Sequence, residues 1–147
     1  MIAVSACLAG RACRYDGKAN TVQALKAMVE RGEAVPICPE VLGGLGIPRD
    51  PCERQGCQIC TQSGKDCTAE YRKGAEAALA LIQKHHITLA VLKAKSPSCG
   101  KGLIYDGSFT RTLREGHGLT TELLIQNGVR VFTEDEWKEE KENSQKA

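Results

Sequence analysis

Ile87–Gly100 reads ITLAVLKAKSPSCG, an apolar run that predicts a buried strand and stops at a cysteine held in a Ser-Pro-Ser turn. Two other segments share this design. Ile2-Ala3-Val4-Ser5-Ala6-Cys7 and Ala34-Val35-Pro36-Ile37-Cys38 are short apolar strands with a cysteine at the carboxyl end, where Gly10 or Pro39 breaks the run. In an open parallel sheet the carboxyl ends lie along one edge, the edge at which ligands bind. The pattern therefore predicts that Cys7, Cys38 and Cys99 converge.

Between these strands the sequence predicts helices. Asn20 is placed to cap one that carries Val22, Leu25, Met28 and Val29 on one face and ends at Gly32. A second, from about Ala69 to His86, has Tyr71, Ala75, Ala78, Leu79 and Ile82 as its core face. Thr120 is expected to cap a third, with Leu119 and Leu124 as a hydrophobic staple and Gly128 at its end. Val129–Phe132 predicts a fourth strand, and Thr133-x-x-Glu136 is a capping box for a last helix anchored by Trp137. Two hairpins are expected, one over Gln58–Thr68 around Ser63-Gly64 and one over Leu103–Leu113 turned at Asp106-Gly107. The alternation predicts a single three-layer α/β domain over residues 1–140, with a short parallel sheet in the order 2-1-3-4 and helices on both faces. A charged, frayed tail is expected over 141–147.

With 147 residues the chain has the length of one domain. Its formal charge of +2 comes from interspersed residues of both signs, so no basic field points to nucleic acid and the expected partner is a small molecule. The apolar start MIAVSACLAG is too short for a signal peptide or a membrane span, which sets the expectation of a cytoplasmic protein with no membrane partner. Eight cysteines are many for such a chain, and in a reducing compartment they stay free or bind metal.

Singly, each strand-end cysteine reads as a small buried hydrophobe; three at matched positions reinforce one another. Thiolates select zinc, copper(I) or iron–sulfur clusters. A structural zinc uses four ligands, usually in closely spaced pairs, whereas Cys7, Cys38 and Cys99 lie dozens of residues apart. A [4Fe–4S] cluster held by three cysteines keeps one iron open as a Lewis acid. Glu40, two residues beyond Cys38, is the candidate general acid or base. Ser96 and Ser98 flank Pro97 and are candidates for holding a heterocycle or its developing charge. Arg49 is expected to bind an anion or to pair with Asp16 or Glu53. A second group, Cys52, Cys57, Cys60 and Cys67, begins with the C-x₄-C-x₂-C spacing of plant-type ferredoxins. Its plainer use is as small apolar residues, with Cys57 and Cys67 at alternating hairpin positions.

Six blocks in order extend this picture: Ser5-Ala6-Cys7-Leu8-Ala9-Gly10, Cys13-Arg14-Tyr15-Asp16-Gly17, Cys38-Pro39-Glu40-Val41-x-Gly43-Gly44-Leu45, Pro48-Arg49-x-Pro51-x-Glu53, Lys93-Ala94-Lys95-Ser96-Pro97-Ser98-Cys99-Gly100 and Ile104-Tyr105-Asp106-Gly107-x-Phe109. Together they resemble a small microbial family, long catalogued as a domain of unknown function and associated with thiouracil desulfidase. The resemblance runs from Met1 to about Glu134. It implies a [4Fe–4S] cluster held by Cys7, Cys38 and Cys99 with one open iron, and a thiolated nucleobase as substrate. It also implies proton transfer by Glu40, orientation of the ring or leaving group by Ser96, and release of sulfide without net redox. The competing expectations are a zinc- or cluster-binding relay module using Cys52, Cys57 and Cys60, and a cluster-based sulfur transferase.

Overall fold

Strands that are apolar on both sides need cover on both sides, and this chain supplies it. The computed structural model describes the backbone of residues 1–146 and side chains up to residue 142. Strands β1 (Ile2–Ser5), β2 (Ala34–Ile37), β5 (Leu89–Leu92) and β8 (Arg130–Thr133) form a parallel sheet in the order β2-β1-β5-β8. In sequence order of the sheet's strands this is the expected 2-1-3-4. Register aligns Ala3 with Ala90 and Ala90 with Val131, and Val4 with Val91 and Val91 with Phe132. Successive residues therefore alternate between two cores. On one face Ala3, Ala90, Leu92 and Val131 pack against Ala78 and Ile82 of α3 (Thr68–Lys84) and Leu124 of α4 (Leu119–Gln126). On the other, Val4 and Val91 pack against Leu25 of α1 (Gln23–Glu30) and Trp137 of α5 (Glu134–Lys146). Pro36 sits in β2, an edge strand, where a missing donor is tolerated. No helix among the described residues is long and apolar enough to cross a membrane.

Several boundaries differ from expectation for identifiable reasons. Asn20 does not cap α1; Val22 holds that position, while the Asn20 side chain accepts from Arg14 Nη1 at 2.9 Å and its backbone N–H donates to the Cys7 carbonyl. Thr120 does not cap α4. Gly118 does, because the helix start lies so close to the Ser98 backbone that any Cβ there would overlap it. Leu119 thus falls inside the helix rather than at a staple position. The Thr133/Glu136 capping box forms as read: Glu136 N donates to Thr133 Oγ1 at 3.1 Å and Thr133 N to Glu136 Oε1 at 3.0 Å. Helix α5 continues to Lys146, across the expected start of a frayed tail; Ala147 lies outside the described residues.

The segment between β2 and α3 begins with a short helix, α2 (Pro39–Leu42), and continues into strands β3 (Cys52–Gln55) and β4 (Gln58–Thr61). Their antiparallel pairing turns at Gly56-Cys57, not at Ser63-Gly64, because Gly56 supplies the left-handed backbone (φ 59°) that a two-residue turn requires. The expected Ser63-Gly64 turn survives as a Gly64 N–H to Thr61 carbonyl bond and a single bridge between Cys60 and Asp66. Cys57 is therefore an exposed turn residue and Cys67 a buried residue at the start of α3, rather than alternating strand positions. Strands β6 (Leu103–Tyr105) and β7 (Leu113–Glu115) pair as anticipated, but across a long loop, 106–112.

Candidate active site at the carboxyl ends of the strands

Because β2, β1 and β5 are neighbours in the sheet, their carboxyl ends open onto one cavity of about 650 Å³. Cys7, Cys38 and Cys99 all line it, together with Glu40 and Ser96. The three cysteines arrive by different local devices. Cys7 follows β1 in a turn whose carbonyl accepts from Gly10 and Asn20. Cys38 is the residue before α2, with Pro39 beginning the helix. Cys99 is 3 % exposed, and its N–H donates to Ser96 Oγ at 2.7 Å while its carbonyl accepts from Thr121 Oγ1 at 2.8 Å. Ser5 Oγ accepts from Lys93 N at 2.9 Å, which ties the ends of β1 and β5 together beneath the site.

Helix α2 carries Glu40 and is capped by Cys38, and two glycines fix it. Gly43 ends α2 against the Glu70 carbonyl, and Gly74 of α3 faces the Pro39 carbonyl so closely that neither position has room for a Cβ. Helix-to-helix contact is thus made through backbone, with no side chain to act as a slack spacer.

Glu40 Oε2 accepts from Arg49 Nη2 at 2.7 Å, and the same nitrogen donates to the Cys13 carbonyl at 3.0 Å. Arg49 therefore pairs with Glu40 rather than with Asp16 or Glu53. Asp16 takes Arg14 at 3.0 Å, and Glu53 accepts backbone N–H groups from the β6–β7 loop. The Arg49 side chain is only 9 % exposed, and its guanidinium holds the Glu40 carboxylate in place at the cavity wall. Ser98 departs from expectation more sharply. It is fully buried with its hydroxyl paired to Thr120 Oγ1 at 2.9 Å, and so is removed from the cavity by the seating of α4. Ser96 stays at the cavity wall, and its Oγ accepts from the N–H groups of Ser98 (3.2 Å) and Cys99 (2.7 Å).

Two groups escaped the sequence reading. Cys13 is buried and lines the cavity beside Cys38, but it lies in a loop rather than at a strand end, the criterion that found the other three. Tyr71 is 2 % exposed and lines the same space from α3, although its spacing marked it only as core. Of the Cys52 group only Cys52 and Cys67 come together, in a small buried cluster with Ile59 and Tyr71. Cys52 opposes Thr61 while Cys60 opposes Glu53, which puts Cys52 and Cys60 on opposite faces of the hairpin, and Cys57 is exposed.

The donor set fits an iron–sulfur cluster. Burial pushes the Cys7 thiol up to about 11, with the neighbouring Cys38 and Glu40 charges adding to the rise against the hydrogen bond from Asn20. Burial likewise pushes Cys99 up, reinforced by Glu40 and by the other two cysteines. Cys38 moves down, because the Cys13 thiol donates to its thiolate and the Val41 N–H supports it. Buried thiols that repel one another ionise together when a cation compensates them. Cys7, Cys38 and Cys99 line one cavity, and among the described residues no three His, Cys, Asp or Glu side chains are arranged around a single metal ion. A cluster spaces its ligands more widely than one ion does.

Comparison with known proteins agrees. The 2-thiouracil desulfurase family model matches residues 2–136. The uncharacterized protein YbbK of Bacillus subtilis (strain 168) is 40% identical over 146 aligned positions, covering 92% of this chain and 97% of that protein. A solved structure of the [4Fe-4S]-dependent thiouracil desulfidase TudS has a TM-score of 0.89 at 48% identity, covering 94% of this chain and 93% of the other. The chain belongs to the 2-thiouracil desulfurase family.

Proposed function

We propose that this protein is an iron–sulfur-dependent desulfidase that removes sulfur from a thiolated nucleobase such as thiouracil. It replaces the thiocarbonyl sulfur by oxygen from water and releases sulfide without net redox. The observation that carries this reading is the single cavity onto which Cys7, Cys38, Cys99, Glu40 and Ser96 all open. Cys7, Cys38 and Cys99 are the ligands of a [4Fe–4S] cluster. When bound, the cluster supplies one iron without a cysteine ligand, a Lewis acid for the thiocarbonyl sulfur.

The protein's own groups supply positioning and proton transfer. Arg49 occupies Oε2 of Glu40, which leaves Oε1 as the oxygen that takes a proton from the attacking water and returns it to the departing sulfur. Balance is kept: one water enters, the carbon–sulfur bond breaks, a carbon–oxygen bond forms, and both water protons leave with the sulfide. Ser96 Oγ already accepts two backbone N–H bonds, so its hydroxyl hydrogen is left to donate, to a ring carbonyl oxygen or to the charge developing on the substrate.

Anaerobic reconstitution tests this directly. Wild-type protein should bind iron and sulfide and release sulfide from 2-thiouracil with uracil as the organic product. Cys7→Ser, Cys38→Ser and Cys99→Ser should each lose cluster and activity, while Cys57→Ser keeps both. A protein that takes up no iron, or that holds a cluster and releases no sulfide from any thiolated base, overturns the proposal.

A further inference from the structure

Four of the chain's six aromatic residues, Tyr15, Tyr71, Tyr105 and Phe109, line this one cavity. They are not equivalent. Tyr71 is buried with its hydroxyl against Cys52, and Tyr15 is 41% exposed with the Arg14 guanidinium 5.7 Å from its ring. Phe109 has no polar handle, is half-buried, and sits in the β6–β7 loop with φ 59°, a left-handed backbone that aromatic residues rarely adopt. Such a conformation persists where its surroundings determine it, and strained residues of this kind gather at ligand clamps.

Strand β3 provides the determination through three consecutive side chains. Glu53 Oε1 accepts from the N–H groups of Gly107 at 3.0 Å and Phe109 at 3.1 Å, bridging the hairpin to the loop on either side of Ser108. Gln55 Nε2 donates to the Gly107 carbonyl at 3.4 Å, and its side chain packs so closely that Gly107 (φ 95°) admits no Cβ. Arg54 fastens the same strand to the start of α4, through the His117 carbonyl at 2.8 Å and Glu122 at 2.7 Å. From the other side, Tyr105 N donates to the Lys95 carbonyl at 3.4 Å, just before Ser96. The phenyl group is thereby held on a fixed frame at the wall of a cavity that also holds the cysteines and Glu40.

We propose that Phe109 is a specificity-determining residue that stacks on the ring of a planar heteroaromatic thione, and that Glu53 is the positioning residue that holds the loop for it. The substrate class rests on the desulfidase reading; the loop geometry does not. A planar pyrimidine presents a π face to the phenyl ring, whereas an acyclic thioamide offers the same thiocarbonyl and nothing to stack.

The test is equilibrium binding of uracil, which contains the ring and no sulfur, to cluster-loaded protein. Phe109→Leu should weaken binding about tenfold, in line with base–aromatic stacking, and Phe109→Trp should restore it. Glu53→Ala should match Phe109→Leu. Glu53→Gln, which keeps an oxygen acceptor at the same place, should bind as wild type. Iron content should be the same in all four. In turnover, Phe109→Leu should raise KM for 2-thiouracil about tenfold, with kcat little changed, and leave thioacetamide hydrolysis unaffected. Uracil binding that Phe109→Leu does not weaken overturns the proposal. So does an equal loss for 2-thiouracil and thioacetamide, or a wild type that binds no uracil. A wild type that binds uracil in a Phe109-dependent way yet releases no sulfide sinks the desulfidase reading and leaves the stacking role standing.

Discussion

Arg49 Nη2 reaches Glu40 Oε2 at 2.7 Å and the Cys13 carbonyl at 3.0 Å, so one buried nitrogen joins the carboxylate of α2 to the loop that follows β1. Burial disfavours the Arg49 charge, but Glu40 outweighs it and holds the guanidinium ionised. If Glu40 handles protons, Arg49 decides which of its oxygens is free. Glu40→Gln should lower kcat by about 10²–10⁴-fold with iron content unchanged. Arg49→Lys keeps the charge but loses the planar fork, and should cost about 10–100-fold in kcat with KM little altered. Steady-state kinetics beside an iron assay check both; full kcat in Arg49→Lys would separate the ion pair from the chemistry.

The cavity thiols should differ in reactivity when the protein is prepared without iron. Cys38 is the thiol whose ionisation is favoured, since the Cys13 thiol and the Val41 N–H both donate to it, whereas Cys7 is pushed up to about 11 and Cys99 is pushed up as well. A raised thiol value means less thiolate at a given pH, and thiolate is the nucleophile. Near neutral pH iodoacetamide should therefore label Cys38 before Cys7 or Cys99, and Cys7 should become reactive only as the pH nears 11. Cys13→Ala removes the donor and should slow labelling of Cys38. Peptide mapping by mass spectrometry reads the order, and equal labelling of Cys99 and Cys38 would contradict it.

The strands were legible because each is buried on both sides and written as an unbroken apolar run with a cysteine and a breaker at its end. That signal alone puts Cys7, Cys38 and Cys99 on one edge of the sheet. What stayed hidden depends on contacts between distant segments. Ser98 looks like a partner of Ser96 in sequence, and only the approach of Gly118 and Thr120 buries it. Asn20 is a good cap by residue type, yet Arg14 takes its side chain. Cys13 lacks a strand before it, so no local pattern set it apart. Its place is fixed by Arg49, 36 residues away.

Glu136 links the capping box of α5 to Lys101, two residues past Cys99, at 2.9 Å. Burial raises its carboxyl, but the Thr133 N–H and the Lys101 ammonium outweigh burial and hold it below the ordinary carboxylate range. A depressed native value contributes stability that is complete above the ordinary range and is lost as pH falls through the native value. Glu136→Gln should therefore lower the melting temperature at neutral pH. The gap to wild type should close in acid, where the carboxyl is protonated in folded and unfolded chains alike. A gap that stays constant down to strongly acidic pH would show that ionisation of Glu136 does not contribute.

Gly74 tests whether the backbone contact between α3 and α2 sets the site. By helix propensity alone, Gly74→Ala would stabilise α3 by about 0.5–1 kcal/mol. The added Cβ, however, would overlap the Pro39 carbonyl, and overpacking of this kind costs about 1–3 kcal/mol or more. The clash is with backbone, which has no rotamer to yield, so overpacking wins and the net change is destabilising. Relief requires α2 to move away, and α2 carries Glu40 and takes Cys38 as its cap. Gly74→Ala should thus lower both the urea midpoint and the iron retained after reconstitution. Gly46→Ala, where no neighbour lies within 4 Å and φ lies outside the left-handed range, should change neither. If Gly74→Ala keeps full iron at reduced stability, the ligand geometry tolerates movement of α2. If it is as stable as wild type, the close crossing does not constrain the fold.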